Sequence, residues 1–414
     1  METRIAPEFR GTREGDEAEA ILRACVHCGF CNATCPTYQL LGDELDGPRG
    51  RIYLMKQVLE GATPTAKTQL HLDRCLTCRS CESTCPSGVR YGALVDIGRR
   101  IVERKVGRPP AEAAQRYSLR KGLLSKSLFG AALATGRAAK AWLPHEIARR
   151  IPDARDAGMW PAARHARRML IMQGCVQPSI APNIDAAMAR ILDRIGISGV
   201  RTAAGGGCCG ALPEHLGAHD DALAIARRNV DAWWPAVEAG AEAIVVTASG
   251  CGVTVRDYAH LLADDAGYAR RAERIGALAR DPVEVIAAEW KAIGPRIALD
   301  RGAQRIAFHA PCTLQHGMQI KGQVEELIDA MGHQRLPITD AHLCCGSAGT
   351  YSILQPELAG QLKRNKLAAL EAGRPHVIAS ANIGCITHLA SGTDRPVRHW
   401  IELLDERMLD GGRG

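Results

Sequence analysis

Apolar side chains near the N-terminus recur at the spacing of helices. Between two short cysteine-rich stretches this spacing predicts helical segments, with apolar positions at Ile52, Met55, Leu59, Leu70 and Leu72. A further helix is predicted from about Tyr91 to Lys105. The N-terminal quarter of the chain is therefore expected to form a mostly helical module.

The second half of the chain alternates short β-rich runs with amphipathic helical stretches, and it does so twice. The runs AIVVTASGC and HVIASANIGC predict strands, whereas HDDALAIARRNVDAWWPAV and PELAGQLKRNKLAAL have the pattern of helices. Strands that alternate with helices are typical of α/β units with parallel sheets. We therefore expect two such units, one after the other.

A basic segment, residues 106–168, separates these two parts. From Arg99 to Arg168 the chain has 17 Lys and Arg against 5 Asp and Glu, so this region carries +12 within a total of +7. An amphipathic helix is predicted here, with apolar positions at Leu119, Leu123, Leu124, Leu128, Phe129 and Leu133 opposite basic positions at Arg116, Arg120, Lys121 and Lys126.

Two interpretations of this amphipathic helix stay open. It can lie on an anionic membrane surface, or it can pack on its own domain or on a partner subunit with its charges in solvent. We favour packing, because the apolar stripe is short and Gly130 and Gly136 weaken the helix. Nucleic acid is not an expected partner, since the basic residues are not interleaved with aromatic groups that stack on bases.

Composition narrows the compartment and the chemistry. The 414 residues, 46% of them hydrophobic, suffice for two or three domains. The chain shows neither a run of about 18 apolar residues nor the apolar segment of a secretory signal, so we expect a cytoplasmic protein, with a peripheral position on the inner face of the cell membrane as a further option. In a reducing compartment, 16 cysteines indicate metal ligands or redox groups rather than disulfides.

Eight of these cysteines form two identical motifs. The spacing C-x2-C-x2-C-x3-C-P occurs first from Cys25 to Pro36 and again, 50 residues later, from Cys75 to Pro86. It is the spacing of two-cluster ferredoxins, in which the fourth cysteine ligates the other cluster. We therefore expect two [4Fe–4S] clusters with crossed ligation, one held by Cys25, Cys28, Cys31 and Cys85 and the other by Cys75, Cys78, Cys81 and Cys35. The alternative is a pair of zinc sites, which usually bring their thiolates as two separated C-x2-C pairs.

The other eight cysteines form a second duplication. The first set is Cys175, Cys208, Cys209 and Cys251, and the second is Cys312, Cys344, Cys345 and Cys385. Corresponding members are 137, 136, 136 and 134 residues apart, so the spacing is kept through a whole domain. Each set falls near the predicted carboxyl ends of parallel strands, where functional groups gather. The segment GGGCCG, Gly205 to Gly210, also matches a dinucleotide-binding pattern, but its partner copy lacks the leading glycines. We prefer to explain these glycines as letting the backbone approach a thiol cluster.

Together these features resemble a known family. Two ferredoxin motifs followed by two Cys-Cys-Gly domains are similar to the iron–sulfur subunits of glycolate oxidase (glycolate dehydrogenase) and of anaerobic glycerol-3-phosphate dehydrogenase, to the lactate-utilisation iron–sulfur proteins and to the cysteine-rich subunits of heterodisulfide reductase. The segments GPRGRI, from Gly47, and GCVQP, from Gly174, look most like glycolate oxidase. The resemblance covers nearly the whole chain.

The resemblance implies the fold and the domains. We expect an α+β multidomain protein in which a helical two-cluster ferredoxin module precedes two duplicated α/β cysteine-rich domains. The predicted divisions are residues 1–105 for the ferredoxin-like domain, 106–168 for a basic helical connector, and 169–300 and 301–414 for the two Cys-Cys-Gly domains.

The resemblance also implies the function: an iron–sulfur electron-transfer subunit of a flavin-dependent 2-hydroxy-acid dehydrogenase that converts glycolate to glyoxylate. Its partners would be FAD-containing flavoprotein subunits of the same complex, with contact to the membrane or the quinone pool as an option. The chain itself offers no arrangement of catalytic residues, and His309, His316 and His342 are expected to pack, or to support the residues of the nearby thiol site, rather than to act as bases. The alternatives are a disulfide- or quinone-reducing subunit like that of heterodisulfide reductase, and the iron–sulfur subunit of a lactate or glycerol-3-phosphate dehydrogenase.

One departure from the family bears on these alternatives. The Cys-Cys-Gly domain often ends in C-x-x-C, but here the last position is Thr254 in the first copy and His388 in the second. Each site thus offers four cysteines rather than five, which leaves a simpler metal site, a thiol pair or a vacant fold as the options and favours the electron-transfer function over disulfide reduction.

Overall fold

The computed structural model describes residues 1–203, 205–299 and 302–408. The N-terminal part is helical, as its apolar spacing predicts, and its core is formed by apolar side chains of the longer helices around Leu22, Met55 and Leu94. Its helices are α1 (Arg13–Ala24), α2 (Pro36–Leu41), α3 (Pro48–Leu59), α4 (Ala66–Asp73), α5 (Ser80–Thr84) and α6 (Tyr91–Val106), with 3-10 turns at Phe30–Thr34 and Glu44–Asp46.

The basic connector forms separate helices rather than one continuous helix. These are α7 (Pro110–Leu124), α8 (Lys126–Ala139) and α9 (His145–Ala148), with a 3-10 turn at Lys140–Trp142. The break falls at Ser125, whose backbone is extended and whose hydroxyl accepts a hydrogen bond from the Leu128 backbone N–H. A serine in this position caps a new helix, so the amphipathic stripe is divided between two segments.

The first α/β domain is built on a parallel sheet with the strand order β2-β1-β3-β4. Its elements are β1 (Arg167–Ile171), α10 (Gln177–Ile180), α11 (Asn183–Arg194), β2 (Ile197–Arg201), α12 (Ala211–His215), α13 (His219–Glu238), β3 (Ile244–Val245), α14 (Ser249–Arg256), α15 (Tyr258–Leu261), α16 (Ala269–Leu278), β4 (Ala279–Arg280), α17 (Pro282–Ala288), α18 (Trp290–Ile293) and a 3-10 turn at Gly294–Arg296.

The second α/β domain repeats that topology in the order β6-β5-β7-β8, again with parallel pairs throughout. Its elements are β5 (Arg305–His309), a π turn at Thr313–Gly317, α19 (Gln323–Ala330), β6 (Gln334–Arg335), α20 (Tyr351–Leu354), α21 (Pro356–Glu371), β7 (Val377–Ser380), α22 (Ile383–Ala390), β8 (Val397–His399) and α23 (Trp400–Arg407). The equal strand order in both halves confirms the duplication.

The two α/β domains share part of one hydrophobic core and meet at their thiol-bearing ends. Ile171 and Phe308, from the first strands of the two sheets, belong to the same buried cluster. At the meeting point the Ser249 backbone N–H donates to the Ala381 carbonyl at 3.1 Å, and the Ser249 and Thr313 hydroxyls lie 2.8 Å apart. The predicted fold class is therefore confirmed. None of the helices in these residue ranges has the length and hydropathy needed to span a bilayer.

Candidate functional site

Four thiols of the N-terminal module form a first group. Cys25 follows α1, and Cys85 follows α5. The pKa of Cys31 is raised to about 11, mainly by burial and further by repulsion from neighbouring thiolates. The neighbours are Cys25, Cys28 and Cys85. Cys85 comes from the second motif, so the structure places the fourth cysteine of one motif beside the first three of the other.

The second group has the same crossed composition. Burial raises the pKa of the Cys81 thiol, and the thiolates that raise it further are Cys78, Cys75 and Cys35. Cys35 comes from the first motif and occupies the N-cap position of α2, the helix that leads the chain away from the first cysteine loop. The eight predicted residues are thus brought together as two groups of four; their ligation of iron stays a prediction.

The two cysteine loops repeat an uncommon backbone form. His27 and Gly29 in the first loop have φ values of 60° and 85°, and Thr77 and Arg79, 50 residues later, have 52° and 59°. Left-handed φ values at residues other than glycine cost roughly 1 to 3 kcal/mol and cluster at ligand sites, because the surroundings must hold them in place. Here they turn the chain twice between successive cysteines and bring the three thiols of each loop to one side.

The residues present fit two [4Fe–4S] clusters. Several buried thiols can all be deprotonated only when cations lie beside them, and the iron of a cluster supplies the positive charge. The second group also has donors aimed at its sulfurs. The Thr77 backbone N–H is 3.4 Å and the Tyr91 hydroxyl 3.6 Å from the Cys75 Sγ, and the Arg51 Nη1 is 4.0 Å from the Cys35 Sγ. Such donors stabilise thiolates.

The two groups differ in their exposure. In the first group Cys28 is exposed, and the side chains of Val26 and Phe30 beside it are 68% and 62% exposed. In the second group burial raises the pKa of Cys78, and the Cys312 thiolate of the second α/β domain raises that pKa further. One group therefore opens to the surface and the other lies inside the protein.

Arg51 is a site residue that the sequence pattern did not identify as functional. Its side chain is 1% exposed and donates to the His71 carbonyl at 2.7 Å, to the Thr37 hydroxyl at 3.2 Å and to the Asp46 carboxylate at 3.4 Å. It thereby brings a buried positive charge to Cys35. The only signal in the sequence was its place within GPRGRI, and periodicity alone indicates no more than a helix for that segment.

Each α/β domain brings its four remaining thiols into one row. In the first domain Cys208 contacts both Cys175 and Cys209, and Cys209 contacts Cys251. The second domain repeats this order, with Cys312, Cys344, Cys345 and Cys385 in succession. Both rows lie at the carboxyl ends of the central strands, as the sequence predicts.

The first row faces a large cavity, of about 1620 Å³, between the helical module, the connector and both α/β domains. Cys175, Cys209 and Cys251 line it, together with Leu133 of the connector and Thr350 of the second domain. Hydrogen bonding from Cys208 and then from Cys251 lowers the pKa of Cys209. A lowered pKa favours the thiolate, which is the reactive form of cysteine, so Cys209 is a candidate reactive thiol at the wall of this cavity.

The glycines of Gly205–Gly210 allow close approach of the backbone, and the Gly210 backbone N–H donates to the Cys208 Sγ at 3.4 Å, in line with the interpretation that we preferred. A Cβ atom on Gly206 would lie 2.5 Å from the Trp233 Nε1. The Gly207 backbone N–H donates to the buried Asn229 side chain at 3.0 Å. Ala204, just before this segment, lies outside the described residues.

The basic residues of the connector make ion pairs within the chain. Arg116 pairs with Asp73 at 2.9 Å, and Arg120 pairs with Asp221 at 3.2 Å. Leu133 is buried. These contacts support packing of the connector on the protein's own domains, which is the interpretation that we favoured, although Leu128 of the apolar stripe is 57% exposed.

Comparison with known proteins assigns both parts of the chain. Residues 21–89 match the 4Fe-4S dicluster domain, and residues 169–256 and 306–390 match the cysteine-rich domain. The glycolate oxidase iron-sulfur subunit of Escherichia coli (strain K12) is 53% identical over 99% of this chain and 99% of its own. The probable glycolate oxidase iron-sulfur subunit of Bacillus subtilis (strain 168) is 29% identical over 92% and 90%. Lactate utilization protein A of Exiguobacterium sp. (strain ATCC BAA-1283 / AT1b) is 25% identical over 56% of this chain and 94% of its own.

These matches confirm the predicted family and the predicted cofactors. A dicluster domain is the place for two [4Fe–4S] clusters, and the two cysteine-rich matches fall on the two parallel sheets. The 53% identity covers 99% of both chains, so the family assignment applies to almost the full length of the protein. The chain belongs to the family of glycolate oxidase iron–sulfur subunits.

Proposed function

We propose that this protein is the electron-transfer subunit of a flavin-dependent glycolate dehydrogenase complex, in which it accepts electrons from FAD-containing flavoprotein subunits and delivers them toward the respiratory chain. The observation that carries the proposal is the pair of four-thiol groups, one at the surface and one inside, in a chain 53% identical to a glycolate oxidase iron–sulfur subunit. Each [4Fe–4S] cluster, when bound, takes up and releases a single electron.

The ligand sets follow from the crossed grouping. We assign Cys25, Cys28, Cys31 and Cys85 to the first cluster and Cys75, Cys78, Cys81 and Cys35 to the second. The mutual effects of these thiols on their pKa values support this division. Crossed ligation ties the two motifs together, so loss of one loop is expected to disturb both sites.

The surface of the first group is our candidate for electron entry. Val26 and Phe30 expose apolar surface beside Cys28, so a flavoprotein that docks here approaches the first cluster closely. The second group lies deeper, where Arg51 donates toward one sulfur and Cys78 faces the thiols of the second cysteine-rich domain. The arrangement orders the two sites from the surface inward.

The acid–base chemistry on glycolate belongs, in this proposal, to the flavoprotein partners. Removal of a hydride moves two electrons together, which a flavin accepts and which a one-electron centre does not. We place the complex in the cytoplasm, peripheral to the inner face of the membrane. Tyr117, Leu128 and Trp142 of the connector are exposed apolar side chains suited to such a contact or to a partner subunit.

We also propose the division into residues 1–105, 106–168, 169–300 and 301–414. The division between the last two falls on residues 300 and 301, and the C-terminal residues 409–414 belong to the last domain; all of these lie outside the described residues. Limited proteolysis of the holoprotein, followed by mass analysis, should give cleavage first within 106–168.

The test is reconstitution of the complex. Anaerobically prepared protein, mixed with the flavoprotein subunits, should restore glycolate:dye reductase activity, whereas lactate and glycerol 3-phosphate should serve poorly. Cys28→Ser should abolish dye reduction through this chain. Cys208→Ser, in the first cysteine-rich domain, is the matched control and should retain it.

Three results would contradict the proposal. The first is a folded and active protein without iron. The second is a complex that prefers lactate or glycerol 3-phosphate. The third is disulfide reduction by this chain alone, which would support the heterodisulfide-reductase-like alternative.

A further inference from the structure

His309 is a buried histidine without a hydrogen-bond partner for either ring nitrogen among the described residues. A buried polar group left unpaired costs roughly 1 to 3 kcal/mol. His309 is the last residue of strand β5, at the carboxyl edge of the second sheet, where the thiol row of that domain lies. The described residues therefore supply no hydrogen-bond partner for this imidazole, and a bound ion is a candidate for that role.

Two buried thiols lie beside this histidine. One ligand atom each of His309, Cys345 and Cys385 lies within 4.8 Å of the other two. Cys344 adjoins Cys345 in the thiol row but stands outside this group of three, and its Sγ lies 3.5 Å from the Cys312 Sγ. One imidazole and two thiols supply three of the four ligands of a tetrahedral site, and Cys344, next to Cys345 in the chain, is the candidate for the fourth.

This set matches a closed zinc site. Zinc in structural sites is four-coordinate, with Zn–S bonds of about 2.3 Å and Zn–N bonds of about 2.0 Å, which places neighbouring ligand atoms about 3.5 Å apart. Side chains whose ligand atoms already lie within 4.8 Å reach that spacing by small movements. Thiolate and imidazole together suit zinc better than magnesium or calcium, which take oxygen ligands.

The first cysteine-rich domain does not repeat the histidine. The offset of 137 residues between Cys175 and Cys312 places Met172 at the position of His309. Met172 is buried, and the thiols of its domain line the large cavity rather than a closed pocket. At this position the duplicated fold thus has a histidine in the second copy and a methionine in the first.

We propose that His309, Cys345 and Cys385, with Cys344 as the fourth ligand, bind one zinc ion in the second cysteine-rich domain. The ion joins the end of β5, the Cys-Cys-Gly loop and helix α22, and it acts structurally because zinc does not change its redox state. None of its four residues is among the eight thiols assigned to the iron–sulfur clusters, although Cys344 is a neighbour of Cys78.

The test is metal analysis of the anaerobically prepared full-length protein, with zinc K-edge X-ray absorption. We expect about one zinc per chain beside about eight irons, with both nitrogen and sulfur in the zinc shell. His309→Met, which installs the residue of the first domain, should reduce zinc at least tenfold and leave the iron content unchanged.

Matched variants keep the result interpretable. Cys251→Ser, the counterpart of Cys385 in the first domain, should retain the zinc. His309→Cys should also retain it, now with sulfur alone in the shell, even if His309→Met folds poorly. Zinc-free wild-type protein, zinc that survives His309→Met in full, or iron in place of zinc at this site would overturn the proposal.

Discussion

Replacement of Arg51 by methionine should lower the reduction potential of the second cluster and leave that of the first nearly unchanged. The Arg51 guanidinium is buried, and its Nη1 lies 4.0 Å from the Cys35 Sγ, a proposed ligand of the second cluster. A positive charge and a hydrogen bond beside a ligand sulfur favour the reduced, more negative state. Methionine keeps most of the volume and removes both.

The size of the effect follows from the distance. Two unit charges 4 Å apart interact by about 4 kcal/mol at an effective dielectric constant of 20. For a one-electron couple that energy corresponds to about 170 mV, since a tenfold change in the equilibrium constant is 59 mV. The added electron is spread over the cluster, so 170 mV is an upper limit.

The same substitution should destabilise the N-terminal module. Removal of one member of a buried ion pair typically costs 3 to 5 kcal/mol. Asp46 keeps two partners, Arg74 at 2.8 Å and His71 at 3.1 Å, so we expect a loss near the lower end, about 3 kcal/mol.

The assay is an anaerobic redox titration followed by electron paramagnetic resonance, with the two signals assigned through a Cys28→Ser variant. Arg74→Met is the matched control, because Arg74 also pairs with Asp46 but makes no hydrogen bond to a cysteine sulfur in the described structure. It should reduce stability without a comparable shift in potential. Equal shifts in both variants, or a shift confined to the first cluster, would refute the reasoning.

Three further predictions concern other parts of the molecule. Ferricyanide should bleach the visible absorbance of the iron–sulfur clusters in two phases, the faster from the exposed Cys28 site; a single phase would contradict the difference in burial. Burial raises the pKa of Asp281 to about 7, above its ordinary value of 3.8. Between these two values the folded state keeps a proton that the unfolded state releases. The free energy of unfolding should therefore fall by up to about 4 kcal/mol as pH rises from about 4 to 7. Asp281→Asn should reduce the difference between thermal midpoints at pH 5 and pH 8, and an undiminished difference would count against this carboxyl group. Gly206→Ala should cost about 1 to 3 kcal/mol in chemical denaturation because its Cβ meets Trp233, whereas Gly122→Ala, in an open helical position, should not destabilise the protein.

Much of the fold could be predicted because its signals are local. Apolar spacing near 3.6 identified α3 and α6, and the repeated cysteine spacing identified the duplicated sheets. The break at Ser125 was missed for a local reason as well. The apolar period continues across it, whereas the cap that starts α8 depends on the conformation of a single residue.

The contacts that the sequence did not reveal join distant residues. Arg51 and Cys35 are 16 residues apart, and the buried Arg51 side chain reaches the Cys35 sulfur. The spacing of apolar residues does not predict the direction of such a side chain. His309 was expected to pack, and only the structure shows that its ring nitrogens lack partners beside Cys385 among the residues it describes. Side-chain direction in a crowded interior depends on packing from several elements at once.

The two cysteine-rich domains share a topology and a thiol order, yet their thiols meet different surroundings. In the first domain Cys209 faces a cavity large enough for a ligand, and in the second Cys345 is fully buried beside a histidine. A thiol row that lines a cavity is open to ligands and redox partners, whereas a closed one holds what it binds. Duplication therefore supplied one scaffold, and the residue at the end of the first strand, Met172 or His309, together with the packing around it, decides which chemistry each copy supports. Exchange of these two residues is the direct test: Met172→His should bring zinc to the first domain only if its thiols can close around the ion.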